Sequence, residues 1–451
     1  MRIVLLCTSL VIAAAPCDRA IAQDAVGMIL DLVGREDADF RALGLDGIRH
    51  GAQGEDATRR FVALLADRTP ERQVELLRAL ADRGDPAAIP AVRELLTASR
   101  DPAVRTAAIG VLGATGGGAE VAVLSESLTS PDPERAAAKR ALIVLRGDDA
   151  VAHMINMAGT GEPAVRPLAI DILAERRARA AVPLCTTAAT DPDAAVRQAA
   201  MRALGKLGGP DEVPSMVQGL LKASAGSERN EAEKALVTVC TENPGKSRAA
   251  ESFLAVFKAA GDADRESLLS PLGRIGGAGA LAIVDELLAD PAKRDLGIKA
   301  LSRWPDATVS DRLLELLAKA QDSAERDTLL GALIRIAPLP DNKLNDKQKL
   351  ELVQKIMPLC QKDEERAKLV ERANAIRTVE TFRFVLPFLD DPKLIEPACK
   401  SVVELAHHQK LRDAHKDDFA KALDKVIATT KNPELAERAT RYKEGKTWER
   451  K

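Results

Sequence analysis

Apolar residues recur along this chain in one short phrase: two neighbours, then a third three positions on. Ala108 and Ile109 are followed by Leu112, Ala169 and Ile170 by Leu173, and Ala200 and Met201 by Leu204. Leu268, Leu269 and Leu272, then Leu329, Leu330 and Leu333, repeat the pattern further on. An i, i+1, i+4 spacing marks one face of an amphipathic helix, and no alternation of period two is sustained anywhere. The phrase returns about every 31 residues, at positions three, four and seven after an arginine. The markers are Arg41, Arg72, Arg105, Arg135, Arg166, Arg197, Arg229, Arg265, Arg294, Arg326 and Arg366, and Ile395 and Ala436 stand in the same place in two further units. From Arg105 to Arg229 every step is 30 to 32 residues. Self-similarity at this period predicts a stacked repeat array of about 13 units rather than a single globular core.

Each unit parses as two short helices. The first has its own apolar face, as in Ile89, Val92, Leu95 and Leu96, or Val213, Met216, Val217, Leu220 and Leu221. A polar residue and a proline then open the second: Asp101-Pro102, Asp132-Pro133, Asp191-Pro192, Asp391-Pro392 and Asn432-Pro433. Asp or Asn accepts hydrogen bonds from orphan amides at a helix start, and proline suits the first position because it has no amide to satisfy. Gly84, Gly208, Gly209 and Gly276 are expected to end second helices in left-handed C-caps.

These residues resemble a known family. Asp191-Pro192, Val196-Arg197, Ala199-Ala200 and Arg202 through Gly208 are similar to a HEAT repeat in its short bacterial form, named after phycobilin lyases. The resemblance is strong over 85–210 and looser after 339. It implies an all-α, right-handed α-α superhelix with second helices on the concave side. It also implies kinks in the first helices at Pro90, Pro183 and Pro214, and an Asp–Arg ladder between successive repeats that would make Arg105, Arg166 and Arg197 structural.

Aromatics are only 2% of the chain against 46% hydrophobic residues, so the core is aliphatic. The first 22 residues stand outside the repeats. Arg2, the apolar run Ile3 to Ala15 and the small-residue site Ala20-Ile21-Ala22 read as a secretory signal peptide cleaved before Gln23. Lipidation at Cys17 is the competing reading, disfavoured by Pro16 before it. No other stretch is long and apolar enough to span a membrane. The segments are thus 1–22 as signal, 23–338 as the array, and 339–451 as a lysine-rich continuation closed by a capping helix. Sixteen of the 25 lysines follow residue 338, and Lys443 falls at a usual core position of that cap. Removing the signal shifts the net charge from −2 to −3, which gives no global attraction to nucleic acid.

Four cysteines remain after the signal. Cys185 and Cys399 occupy positions that hold Leu or Ile in other repeats, so they read as small buried hydrophobes. Cys360 and Cys399 lie in adjacent repeats, and the sequence leaves a bridge between them open. Gly277-Ala278-Gly279-Ala280-Leu281-Ala282 matches a dinucleotide fingerprint, but a helical pattern precedes it where that motif needs a strand, so it reads as a turn between repeats. Glu404, His408 and His415 share a helical face. A single short helix rarely converges three ligands, and Lys410, Arg412 and Lys416 repel a cation, so no metal site is expected. No catalytic residue and no cofactor are assigned.

Five residues past the marker, successive second helices carry Gly110, Arg140, Asp171, Arg202, Lys234, Ser270, Lys299, Gly331 and Lys400. Arg140, Arg202, Lys234 and Lys299 are the candidate partner-binding residues, a basic stripe broken by Asp171. The expected function is a non-catalytic protein-binding scaffold of the bacterial cell envelope, periplasmic or extracellular, with an unidentified protein partner. A lyase-like or enzyme-accessory protein is the alternative, against which the scarce aromatics count. A nucleic-acid-binding solenoid comes third.

Overall fold

The computed structural model describes residues 16–448 apart from 321, 341 and 342. Most of the expected signal segment, the side chain of Cys17, and Asp341 and Asn342 of the loop after Pro338 lie outside the described residues. Among the described residues the chain is all-α, and its helices fall into thirteen pairs. They form two compact units, dividing between Val239 and Cys240 inside the helix Ser227–Thr241. The boundary expected at 339 falls within the second unit.

The first unit holds seven pairs, from Pro16–Gly34 with Ala38–His50 to Val213–Lys222 with Ser227–Thr241. The second holds six, from Lys246–Ala259 with Asp262–Ile275 to the terminal pair. The irregular 41-residue step between Ile395 and Ala436 has a structural cause. An extra helix, Gln409–Ala414, precedes Lys416–Thr429 and Pro433–Lys443.

All five apolar triplets read from the sequence are buried. Each fully buried leucine contributes about 1.5–3 kcal/mol relative to exposure. Small residues let successive second helices approach closely. A Cβ on Gly113 would stand 2.6 Å from the Cα of Ala141 in the next second helix. Trp304 follows the short helix Arg294–Leu301 and is 2% exposed, its indole Nε1 donating to Thr308 Oγ1 at 3.2 Å.

Several helix ends differ from expectation. Asp101 and Asn432 are N-caps with proline just inside, as expected. After Asp132, Asp191 and Asp391, however, the proline lies ahead of the helix, and the helices begin at Glu134, Ala194 and Ile395. Asp193 caps the second of these, while the Asp391 carboxylate accepts from the amide of Lys393 in a turn. Pro90, Pro183 and Pro214 do not kink helices. Each is the second residue of an α-helix that follows a 3-10 turn, where its missing N–H costs nothing. Gly84 is left-handed at φ 72°, and Gly276 has φ 64°. Gly208 and Gly209 are extended instead. Gly208 is needed for space, since a Cβ there would lie 2.6 Å from the Leu204 carbonyl oxygen that its own amide bonds.

Lys443 is not a core residue of the cap. It is exposed and pairs with Asp424, while its neighbour Tyr442 fills the buried place and shares a 2.8 Å hydrogen bond with His407 Nδ1. Cys185, Cys240, Cys360 and Cys399 are all buried free thiols. Cys360 and Cys399 do not pair: the first donates to the Ile356 carbonyl at 3.6 Å, and the second faces Thr429 Oγ1 at 3.7 Å. Burial pushes Cys185 and Cys240 up to about 12.

Candidate interaction surface

At several markers the recurring arginine ties neighbouring repeats together, while Arg135, Arg265 and Arg366 bind within their own repeats. Arg105 Nη1 donates to the Leu96 carbonyl at 2.6 Å, at the end of its own first helix, and Nε donates to Glu134 at 2.9 Å in the next repeat. Arg197 donates to the carbonyls of Asp191 and Pro192 and, at 2.8 Å, to Glu228. Arg294 reaches Glu325 at 2.5 Å, and Arg326 reaches Glu365 at 3.0 Å. Of these links, that of Arg166 to Asp191 at 2.6 Å is the one with the aspartate partner the resemblance implies. In the other four links the partner is the glutamate immediately before the next marker arginine. Glu228 and Glu365 also accept backbone amides at their helix starts, from Ser224 and from Gln361 and Lys362. One carboxylate thus caps a helix, complements its dipole and pairs with the previous repeat. Burial works against the charge on both glutamates, but the bonds from Arg197 and Arg326 outweigh it and hold them below the ordinary glutamate value.

The candidate binding residues fare differently from one another. Arg202 is clamped: Nε and Nη2 bind both oxygens of Asp171 at 3.1 and 2.8 Å, and Nη1 binds Glu231 at 3.0 Å. Burial opposes its charge, yet the bonds to Asp171 and then Glu231 keep its pKa above the ordinary arginine value. Lys299 lies 3.5 Å from Glu266 with both side chains about 60% exposed. Arg140 and Lys234 are exposed and have no ion pair with a described residue. Arg140, Arg202 and Lys234 belong to the first unit and Lys299 to the second. The basic row is therefore partly neutralised within the fold, and Asp171 is a partner of Arg202 rather than a gap in a stripe.

A second set of arginines was missed by sequence reasoning. Arg83 donates to the carbonyls of Ile48, Gly51 and Ala52, and Arg176 to those of Leu142 and Ile143. Arg335 and Arg372 do the same to the preceding repeats of the second unit. In each case a guanidinium covers the unsatisfied carbonyls at the end of the previous second helix. The signal was an arginine in or just after the last turn of a second helix, six to eleven residues past the marker.

Catalytic candidates do not assemble. Glu404 is held by Arg438 at 2.8 Å, and His407 by Tyr442. Among the described residues no three His, Cys, Asp or Glu side chains converge as a metal site would require. Gly276 alone separates the helix Asp262–Ile275 from the helix Gly277–Ala289, so the glycine-rich phrase is the opening of a helix rather than the turn expected, and a helix precedes it where the fingerprint needs a strand. An open cleft of about 550 Å³ includes Leu314, Leu317, Pro358 and Leu359 beside Arg326. That arginine is committed to Glu365 and the Leu359 carbonyl. Among the described residues no helix is long and apolar enough to cross a membrane.

A family model described as HEAT repeats matches residues 58–143 and 151–237, both within the first unit. Among solved structures it is similar to the karyopherin Kap121p bound to the extreme C-terminus of the protein phosphatase Cdc14p, at 12% identity and a TM-score of 0.50. A mutant of Kap121p is similar at 11% and 0.50. In both cases the match covers 94% of this chain and 53% of the other, so the chain spans about half the length of those it matches. Importin Beta is more distant, at 14% identity and a TM-score of 0.38, with 92% of this chain and 60% of that one covered. At such identities the likeness is one of fold. No curated protein matches the chain.

Proposed function

We propose that this protein is a non-catalytic scaffold that binds another protein along its stacked second helices, and that it does so in the bacterial cell envelope after export. The observation that carries the reading is the division of labour among its charges. Arg105, Arg166, Arg197, Arg294 and Arg326 are consumed by links between repeats, whereas Arg140 and Lys234 project from buried-core helices at the same register with no side-chain partner among the described residues. A Kap121p structure of similar fold is bound to the extreme C-terminus of the protein phosphatase Cdc14p, which supports using such an array as a peptide-binding platform. Export is supported by the apolar run from Ile3 to Ala15 and the site Ala20-Ile21-Ala22, and the short repeat period supports the bacterial form.

The test has two arms. N-terminal sequencing of the protein from an envelope fraction should begin at Gln23; a chain retained in the cytoplasm with Met1 intact overturns the location. Size-exclusion chromatography with crosslinking should then show a defined complex that Arg140→Glu with Lys234→Glu weakens. A chain that runs alone in the wild type overturns the scaffold.

A further inference from the structure

Three consecutive second helices of the second unit end on arginines seated on one another's backbones. Arg335, in the last turn of Ser323–Ile336, donates from Nη2 to the carbonyls of Ser302 at 2.9 Å and Trp304 at 2.6 Å, the residues on either side of Arg303. Arg372, in the last turn of Asp363–Ala373, donates from Nε to Ile334 at 3.2 Å and from Nη2 to the Arg335 carbonyl at 2.9 Å. Arg303, Arg335 and Arg372 therefore form a continuous row across three repeats. Arg377 lies just beyond, and its charge reaches His408 in the next repeat.

This row differs from the ladder of marker arginines in having no carboxylate on it among the described residues. Glu371, beside Arg372 in sequence, is taken by Lys400, and Asp306 is spent on Thr308. Neither the Arg303 nor the Arg377 side chain has a hydrogen bond or ion pair with a described residue, and both residues are exposed. Burial lowers the pKa of Arg335, and Arg303 and Arg372 lower it further through like-charge repulsion. Backbone carbonyls at helix C-termini stabilise the guanidinium groups but do not neutralise them. Four arginines thus present an uncompensated positive strip along one edge of the unit.

We propose that this edge docks an extended acidic protein segment whose carboxylates recur at every third residue. Packed helices lie about 8–10 Å apart, so arginines on successive second helices have about that spacing. An extended chain of polyproline II form rises about 3.1 Å per residue with three residues per turn, so every third side chain faces the row, three residues span about one repeat, and each carboxylate is brought to a guanidinium. The planar guanidinium fork matches a carboxylate in bidentate fashion. A nucleic acid is the weaker fit, because Trp304, the aromatic ring within the row, is buried and offers no stacking platform. The inference rests on the scaffold reading and assigns it a second surface, apart from Arg140 and Lys234.

Fluorescence anisotropy on the full-length protein tests it with two labelled peptides of equal length and charge. One repeats Glu-Gly-Ser; the other gathers its glutamates in a block. A single-stranded DNA of equal charge is the third probe. The spaced peptide should bind about fivefold or more tighter than the block peptide, and more weakly as salt rises from about 50 to about 200 mM. Arg303→Glu, and separately Arg303→Gln with Arg377→Gln, should weaken binding about tenfold with helicity and melting unchanged. Arg179→Glu, at an exposed arginine of the other unit, should leave binding unchanged. The proposal is overturned if the peptides bind alike, if neither binds at low salt, if Arg179→Glu costs as much as Arg303→Glu, or if DNA binds more tightly than the spaced peptide. Failure here with a complex still disrupted by Arg140→Glu and Lys234→Glu removes the strip and leaves the scaffold standing.

Discussion

Replacing Arg197 by methionine keeps the apolar stem and removes only the guanidinium. The side chain is 8% exposed and its head makes three bonds: to Glu228 at 2.8 Å and to the carbonyls of Asp191 and Pro192, each at 2.9 Å. Removing one partner of a buried pair typically costs about 3–5 kcal/mol, because the remaining charge is left uncompensated. Two terms pull the value down. Glu228 keeps a bond from the Ser224 amide, and Pro192 is exposed, so its carbonyl recruits water. We therefore expect a loss near the lower end, about 3 kcal/mol. Glu228→Gln retains the amide bond and should cost less. The double variant Arg197→Met with Glu228→Gln should be more stable than the sum of the two changes by about 1–3 kcal/mol, the coupling expected of residues in direct contact. Urea unfolding followed by circular dichroism gives these values, with Arg179→Met as the exposed control. Hydrogen exchange should place the loss between Ala194 and Thr241, since repeat arrays need not unfold in one step. Two results refute the ladder as a structural device: Arg197→Met melting like Arg179→Met, or strictly additive effects in the cycle.

Three other outcomes follow from the fold. Leu204→Ala should cost about 2–5 kcal/mol and Leu204→Asp more, because Leu204 is fully buried and an aspartate there has no partner; an unchanged urea midpoint contradicts the assigned helix face. Burial raises the pKa of Glu228, Glu365 and Asp191, but bonds from Arg197, Arg326 and Arg166 outweigh it, so all three lie below their unfolded values of 4.5, 4.5 and 3.8. Their contribution is therefore complete above the unfolded values and is lost as pH falls through the folded ones; a urea midpoint that stays flat from about pH 6 to about pH 3 contradicts this. Burial raises the thiol pKa of Cys185 and Cys240 to about 12 and that of Cys360 to about 11, so alkylation at neutral pH should require unfolding. Rapid labelling of the native protein, read by mass spectrometry, contradicts that burial.

Much of the architecture was written in local spacing. The triplet Ala200, Met201 and Leu204 identifies a buried helix face because helical geometry places those positions together whatever lies beyond. Repetition of the phrase then sets the number of units. Helix starts were less legible: Asp132, Asp191 and Asp391 have the same polar-proline signature as Asp101, yet the helix begins later. A cap depends on the incoming chain direction as well as on the dipeptide. The Lys443 assignment failed by one position: in the last helix the inward place belongs to Tyr442, at the same offset from the cap as the buried Val111 of Pro102–Thr115.

The sequence by itself determined the all-α class and the apolar faces, which follow from periodicities within about ten residues, and the repeat count, which follows from the recurrence at about 31. Tertiary structure alone decided where the charges go. Arg202 meets Asp171 and Glu231 across distances of about 30 residues, and Glu134 rather than Asp132 takes Arg105. The same holds for Arg335 and Arg372, which the sequence shows only as arginines near helix ends. An ion pair depends on two side chains converging within about 3 Å in space, and no local period encodes that convergence. Stacking decides which charges the fold uses for itself, and so which ones, Arg303 and Arg377 among them, remain for a partner.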